Sequence, residues 1–146
     1  MFIGNFFRWI SGTKKCKNIH ELIRYIKIGD IDHLAHWIAQ RIEYTKDINP
    51  NDEWQSSNIA IMRGKADCEE KALIAKDVID SWPRWRADML CLYNDNKGHA
   101  VCSFEMPDGR KGVIEDTARI FPKETTWEEI VKKIWPWATT TIWRSK

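Results

Sequence analysis

One stretch of the sequence decides the fold, and it reads Gly64-Lys65-Ala66-Asp67-Cys68-Glu69-Glu70-Lys71-Ala72-Leu73. A loop at the glycine turns into a run of good helix formers, which predicts a helix from Asp67 to about Ser81. Cys68 then lies in the first turn, where unpaired backbone N–H groups and the positive end of the helix dipole favour a thiolate. Cysteine usually serves as a buried packing residue, but a helix start crowded with acids is an unusual place to bury a thiol. The stretch therefore predicts a nucleophilic cysteine.

Two later segments supply the partners that such a thiol needs. His99 opens one strand-like segment and Asp116 closes the next. If Pro107-Asp108 forms a two-residue loop between them, His99 and Asp116 lie directly opposite each other, about 5 Å apart at Cβ. A type I turn with a glycine bulge would instead shift the register by one residue, turn Asp116 away and put Thr117 in its place. In the first register, Cys68, His99 and Asp116 form a nucleophile, a base and an orienting carboxylate.

The segment from about residue 31 to residue 117 resembles the transglutaminase-like cysteine peptidases, in particular their small bacterial branch. The matching features, in chain order, are a helix from His36 to Asp47, Asp52-Glu53-Trp54, the stretch around Cys68, Gly98-His99-Ala100, and an apolar strand ending in Asp116. The chain departs from the family at Ala66, where the family usually has glycine, and at Thr117, where it often has asparagine or proline. The resemblance implies an α+β fold with a papain-like core, in which the nucleophile helix packs on a small antiparallel sheet.

The resemblance also implies roles for residues around the nucleophile. In this family a tryptophan or glutamine upstream of the cysteine lends an N–H donor to the oxyanion hole, which points to Trp54 or Gln55 beside the backbone N–H of Cys68. In one branch, acids that flank the cysteine bind calcium, and Asp67 and Glu69 occupy the matching positions. Two carboxylates cannot supply the six to eight oxygens of a calcium site, and both acids suit a helix start. We therefore expect that no cofactor is required, calcium included.

The remaining pattern predicts a single domain over residues 1–146 with helices first and strands after them. The other predicted elements are helices over about 18–28 and 31–46, strands at about 86–93, 99–105 and 111–116, and a last helix that begins at the capping box Thr126-Trp127-Glu128-Glu129. A group of helices followed by an antiparallel meander is an α+β arrangement.

Composition excludes several classes of protein. The net charge of +2 is small and the basic residues are dispersed, which argues against a nucleic-acid partner. Four cysteines without a Cys-x-x-Cys pair argue against a zinc ribbon or a redox motif. No run approaches the ~18 apolar residues of a membrane span. The aromatic segment Met1–Ile10 is short and interrupted by Arg8, so we expect it to dock on the core of a cytoplasmic protein.

Together these observations predict a thiol hydrolase that cleaves a peptide or amide bond in a protein or peptide substrate. His99 would take the proton of Cys68, the sulfur would attack the carbonyl, and water would clear the thioester while Asp116 holds the imidazole. Two alternatives remain open. One is an acyltransferase that passes the thioester to an amine, and the other is a non-catalytic interaction domain on the same fold.

Overall fold

The structure is a computed structural model that describes residues 13–46 and 56–144. In this part of the chain it has five helices and seven strands. The helices are α1 (Ile19–Tyr25), α2 (Ile31–Arg41), α3 (Ser57–Arg63), α4 (Cys68–Asp80) and α5 (Trp127–Ile134). The strands are β1 (Glu43–Tyr44), β2 (Lys65–Ala66), β3 (Arg86–Tyr93), β4 (Gly98–Glu105), β5 (Lys111–Ile114), β6 (Ala118–Phe121) and β7 (Thr140–Arg144). None of the described helices is both long enough and apolar enough to cross a membrane.

The main sheet has five strands in the order β6-β5-β4-β3-β7, and every neighbouring pair is antiparallel. Strands β3, β4 and β5 form the predicted meander, and β3 has the predicted bounds. The chain then adds β6 at one edge, crosses through α5, and returns as β7 at the other edge. The predicted α+β class is confirmed. The short elements α3, β1, β2, β6 and β7 were not predicted, because segments of two to seven residues carry little periodic signal.

Helix α4 forms because both of its ends carry the expected signals. Asp67 is the N-cap of a full capping box with Glu70, and Ser81 is the C-cap. One side of the helix is apolar and buried, and it consists of Ala72, Ile74, Ala75, Val78 and Ile79. This side packs on β3 and β4. The predicted packing of this helix on a small antiparallel sheet is therefore present.

The sheet carries an apolar cluster on each face. The larger cluster lies between the sheet and helices α1, α2 and α4, and its fully buried members include Leu22, Leu34, Trp37, Ile74, Cys102 and Phe104. The smaller cluster lies between the sheet and α5, and includes Leu90, Leu92, Val101, Val113, Phe121, Ile130 and Trp135. Each buried Leu, Val, Ile or Phe side chain stabilises the fold by roughly 1.5–3 kcal/mol relative to an exposed one. Helix α5 has only eight residues and covers part of its face.

Two helices end earlier than predicted. Helix α1 ends at Tyr25 rather than near residue 28, and α2 ends at Arg41 rather than near residue 46. After α2 the backbone pairs with the segment before the nucleophile, because the N–H of Glu43 donates to the carbonyl of Gly64 and that of Thr45 to the carbonyl of Ala66. This pairing places Glu43 and Tyr44 in strand β1, although the local sequence pattern there would continue the helix.

The β4–β5 hairpin has a different register from the two-residue loop. Gly109 has φ +93°, its N–H donates to the carbonyl of Met106, and the N–H of Met106 donates to the carbonyl of Arg110. This is a type I turn followed by a glycine bulge. The bulge shifts the pairing by one residue, so that Cys102 faces Ile114. The predicted opposition of His99 and Asp116 is therefore wrong.

Candidate active site

Cys68 is the first residue of α4, and its surroundings differ from those of the other cysteines. Cys68 is partly exposed, whereas the cysteines at positions 16, 91 and 102 are buried. The Asp67 carboxylate accepts the backbone N–H groups of Glu69 and Glu70, the latter at 2.8 Å. Within the described part of the chain this leaves the backbone N–H of Cys68 without an acceptor. The sulfur and a free N–H donor therefore belong to the same residue.

His99 lies at the beginning of β4 and connects the thiol with a carboxylate. Its Nε2 atom is 2.6 Å from Oε2 of Glu115, and its ring lies within hydrogen-bonding reach of the Cys68 side chain. The hydrogen bond with Cys68 and then the one with Glu115 raise the pKa of His99 to about 9, against an opposing effect of burial. The site therefore favours an imidazolium at neutral pH.

The carboxylate that contacts His99 is Glu115, not the predicted Asp116. The shifted register would set His99 opposite Thr117, but β5 ends at Ile114 and residues 115–117 form the turn into β6. In this turn the N–H of Glu115 donates to the carbonyl of Thr117 at 3.1 Å. Strand alternation therefore no longer decides where Glu115 points. The one sequence signal for this outcome was the Pro-Asp-Gly turn, which commonly forms the bulge.

Glu115 also has a second hydrogen-bond partner. The hydrogen bond with His99 lowers the pKa of Glu115, and the Trp135 side chain contributes to the same shift by hydrogen bonding the carboxylate. Trp135 is buried and is the C-cap of α5. Its contact with Glu115 was not predicted, because the two residues meet only through the packing of α5 on the sheet.

These side chains surround a pocket of about 110 Å³. The pocket is lined by Ile38, Cys68, Lys71, Ala72, His99, Ala100, Val101, Ile114, Glu115 and Asp116. Most of the lining is apolar, and the charged side chains of Lys71 and Asp116 complete it. Asp116 thus lies beside the predicted nucleophile and base without making the predicted contact. The arrangement brings a thiol, an imidazole and two carboxylates to one small concave site.

The other residues singled out in the sequence have different outcomes. Trp54 and Gln55, the candidates for the oxyanion hole, lie outside the described residues. Burial raises the pKa of Asp67, while its hydrogen bonds from the α4 backbone act in the opposite direction. Across residues 13–46 and 56–144, the structure has no group of three His, Cys, Asp or Glu side chains placed to hold a metal ion. Asp67 acts as a helix cap in this structure, and Glu69 follows it in the first turn.

Comparison with known proteins gives distant likenesses among solved structures. No family model matches the chain, and no curated protein matches its sequence. Among solved structures, the chain is similar to LapG of Legionella pneumophila, with a TM-score of 0.47 and 18% identity over 89% of this chain and 80% of that chain. An EGTA-treated LapG structure gives a TM-score of 0.44 and 19% identity over 75% of this chain and 57% of that one. Values this low leave the function to be argued from the residues of the site.

Proposed function

We propose that this protein is a cysteine hydrolase that cleaves a peptide or amide bond through Cys68, His99 and Glu115. The observation that carries the proposal is the chain of contacts from Cys68 through His99 to Glu115 at the edge of a pocket. A nucleophile that contacts a base, which in turn contacts an orienting group, is the arrangement that covalent acyl transfer requires. A histidine with a raised pKa at such a site supports a thiolate–imidazolium pair.

Acylation begins from this ion pair. The Cys68 sulfur forms a bond to the carbonyl carbon of the substrate, and the π electrons of the carbonyl move onto oxygen. The backbone N–H of Cys68 donates a hydrogen bond to this oxyanion. When the carbonyl re-forms, the bond to the leaving nitrogen breaks and the His99 imidazolium gives that nitrogen its proton. The products of this half-reaction are a free amine and a thioester on Cys68.

Deacylation returns the enzyme to its starting state. Neutral His99 takes a proton from water as the water oxygen attacks the thioester carbon. The carbon–sulfur bond breaks, which releases a carboxylic acid and restores the thiolate beside the imidazolium. Glu115 holds the ring in orientation and stabilises its charge through both half-reactions, and Trp135 holds Glu115 in place. Trp54 and Gln55 are proposed as sources of a second oxyanion donor, and the scheme requires no metal.

The proposal is tested first by alkylation of the intact folded protein with iodoacetamide, followed by mass spectrometry. We expect Cys68 to react much faster than the other three cysteines near neutral pH. Burial is the largest cause that raises the pKa of Cys16, Cys91 and Cys102, and all three are shielded from reagent. His99→Ala should slow the reaction of Cys68, because the imidazolium that stabilises the thiolate is lost.

A matched assay follows the chemistry itself. The native protein should release fluorescence from quenched peptides, and Cys68→Ser should abolish that release while circular dichroism shows an unchanged fold. Similar alkylation rates at all four cysteines of the folded protein would contradict a nucleophilic Cys68. Undiminished peptide hydrolysis by Cys68→Ser would contradict the proposed mechanism directly.

A further inference from the structure

A second and larger cavity lies at the other end of α4 from Cys68. It has a volume of about 560 Å³, within the range of small-ligand sites. Asp80, the last residue of α4, contributes to its lining, and a helix rises 1.5 Å per residue, so the two ends of α4 are about 18 Å apart. The cavity is therefore a separate site. Its lining consists of Asp80, Trp85, Arg86, Ala87, Asp88, Ser103, Phe104, Glu105, Trp127 and Trp143.

The cavity lies at the end of the sheet where β3 begins and β4 ends, and its lining includes Ala87 and Phe104 from the α4 face as well as residues of the α5 face. The apolar positions of this face lie under α5. Further along the same strands, Arg86 pairs with Glu105 and Asp88 pairs with Ser103, so all four side chains project from one face. Next to them lie Trp127 and Trp143, whose rings meet edge to face with their centroids 5.1 Å apart, a geometry that aromatic pairs prefer. We call the site formed by Asp88, Ser103, Glu105, Trp127 and Trp143 the Trp–acid groove.

The polar groups of the Trp–acid groove are unequally satisfied. The Ser103 hydroxyl donates to the backbone carbonyl of Asp88 at 3.1 Å, and Asp80 at the rim pairs with Lys76. The carboxylates of Asp88 and Glu105 have no ion pair or hydrogen bond within the described ranges. Two carboxylates thus face one cavity in a chain whose net charge is +2.

The aromatic rings of the Trp–acid groove also have no cation partner among the described residues. In the described part of the chain, the cation–π contacts lie on the rings of Tyr44, Phe121 and Trp137, and none lies on Trp127 or Trp143. Tryptophan attracts a cation more strongly than the other aromatic residues. Carboxylates and the faces of tryptophan rings both attract ammonium and guanidinium groups. The two parts of the groove therefore favour the same kind of ligand, an organic cation.

We propose that the Trp–acid groove binds a lysine or arginine side chain of another polypeptide. The cationic head would pair with the carboxylates of Asp88 and Glu105, and the aliphatic stem would lie along the rings of Trp127 and Trp143. Arg86 at the rim disfavours a second cation beside the first, which suits a single basic side chain better than a dense basic cluster. The proposal is independent of the chemistry at Cys68.

The test uses the whole protein labelled with ¹⁵N and a blocked peptide with a single lysine, acetyl-Ala-Lys-Ala amide, at low salt. The indole N–H resonances of Trp127 and Trp143, assigned with Trp→Phe variants, should shift saturably, whereas that of buried Trp37 should not move. Asp88→Asn with Glu105→Gln should weaken the apparent affinity at least tenfold. The matched control, Asp95→Asn with Glu124→Gln, removes the same two charges from exposed positions elsewhere and should leave the affinity unchanged.

Three results would overturn the proposal. One is an equal loss of affinity in the control double variant, which would mean that the affinity for the peptide depends only on the net charge of the protein. Another is an equal response to acetyl-Ala-Gln-Ala amide or to a neutral oligosaccharide, since neither carries a cation. The third is the absence of any saturable shift at Trp127 and Trp143 in a folded protein.

Discussion

The two halves of the candidate active site are built in different ways. Cys68 owes its position to a helix start whose cap, acids and apolar face all occur within about fifteen residues of sequence. His99 and Glu115 owe theirs to a hairpin, a bulge and a turn that bring together residues sixteen positions apart. The start of α4 agrees with its prediction, whereas the register of the β4–β5 hairpin does not. Local signals determine a helix start reliably, whereas a single bulge decides which side chain a strand residue meets.

The physical reason is the periodicity of the two elements. A helix start that moves by one residue leaves the later side chains facing the same way, because the buried apolar side fixes the orientation of the helix. A strand register that moves by one residue inverts the facing of every side chain beyond the bulge, because the side-chain period is two. At the end of β5 the effect is larger still, since Glu115 leaves the ladder and enters a turn.

The largest expected effect tests the hairpin half of the site. Glu115→Gln should leave the fold intact and lower turnover by on the order of 10⁴-fold, as loss of the orienting carboxylate does in serine proteases. The reason is that the variant removes the charge that orients and stabilises the His99 imidazolium. Asp116→Asn is the matched control and should have little effect, because Asp116 lines the pocket without contacting His99. Turnover is measured with quenched peptides.

The opposite result would support the register of the two-residue loop, in which His99 faces Asp116. If Asp116→Asn lowered turnover severely and Glu115→Gln did not, then His99 would pair with Asp116 during catalysis. The Gly109 bulge would then have no bearing on the working enzyme.

The next expected effect concerns pH. Interactions that raise the pKa of His99 favour its charged form, so their contribution is complete below its ordinary value of 6.5 and is lost as the pH rises through about 9. Peptide hydrolysis should therefore decline above about pH 9, when the proton for the leaving amine is lost. Alkylation of Cys68 should not decline there, because it requires only the thiolate.

Glu115→Gln sharpens this test. The hydrogen bond with Glu115 is the second cause that raises the pKa of His99, so the variant should move the alkaline limb of its residual activity to lower pH. Trp135→Phe, which removes the indole N–H that holds Glu115, should shift the same limb in the same direction by less. If the alkaline limb of the pH profile were unchanged in both variants, the ionisation that causes it would belong to a group other than His99.

The smallest expected effect tests the helix half of the site. Asp67→Ala should lower the free energy of unfolding by about 1 kcal/mol through loss of the N-cap, whereas Asp67→Asn should retain most of it. Because we propose that these acids cap a helix, millimolar calcium should leave the melting temperature of all three proteins nearly unchanged. A bound ligand at 100 times its dissociation constant adds about 2.7 kcal/mol, or several degrees. Such a shift in the native protein, lost in Asp67→Ala, would identify Asp67 as a calcium ligand.

Much of the fold and part of the site were predictable for local reasons. The bounds of β3, the capping boxes at Asp67 and Thr126, and the buried Cys91 and Cys102 all follow from composition and spacing within one element. The early end of α2 was not predictable in the same way, because the backbone after it pairs with a strand more than twenty residues later. The contact of Trp135 with Glu115 likewise depends on how α5 packs.

The sequence by itself determined the nucleophile helix, its cap, the antiparallel meander and the residue types of the site, because each depends on neighbours within a few positions. Only the tertiary structure decided that His99 meets Glu115 instead of Asp116, and that Trp135 hydrogen bonds Glu115. It also decided that the residues of the Trp–acid groove line one cavity at the far end of α4. These outcomes depend on a one-residue bulge and on the packing of distant elements. The hydrophobic periodicity of strands and helices along the chain predicts neither of them.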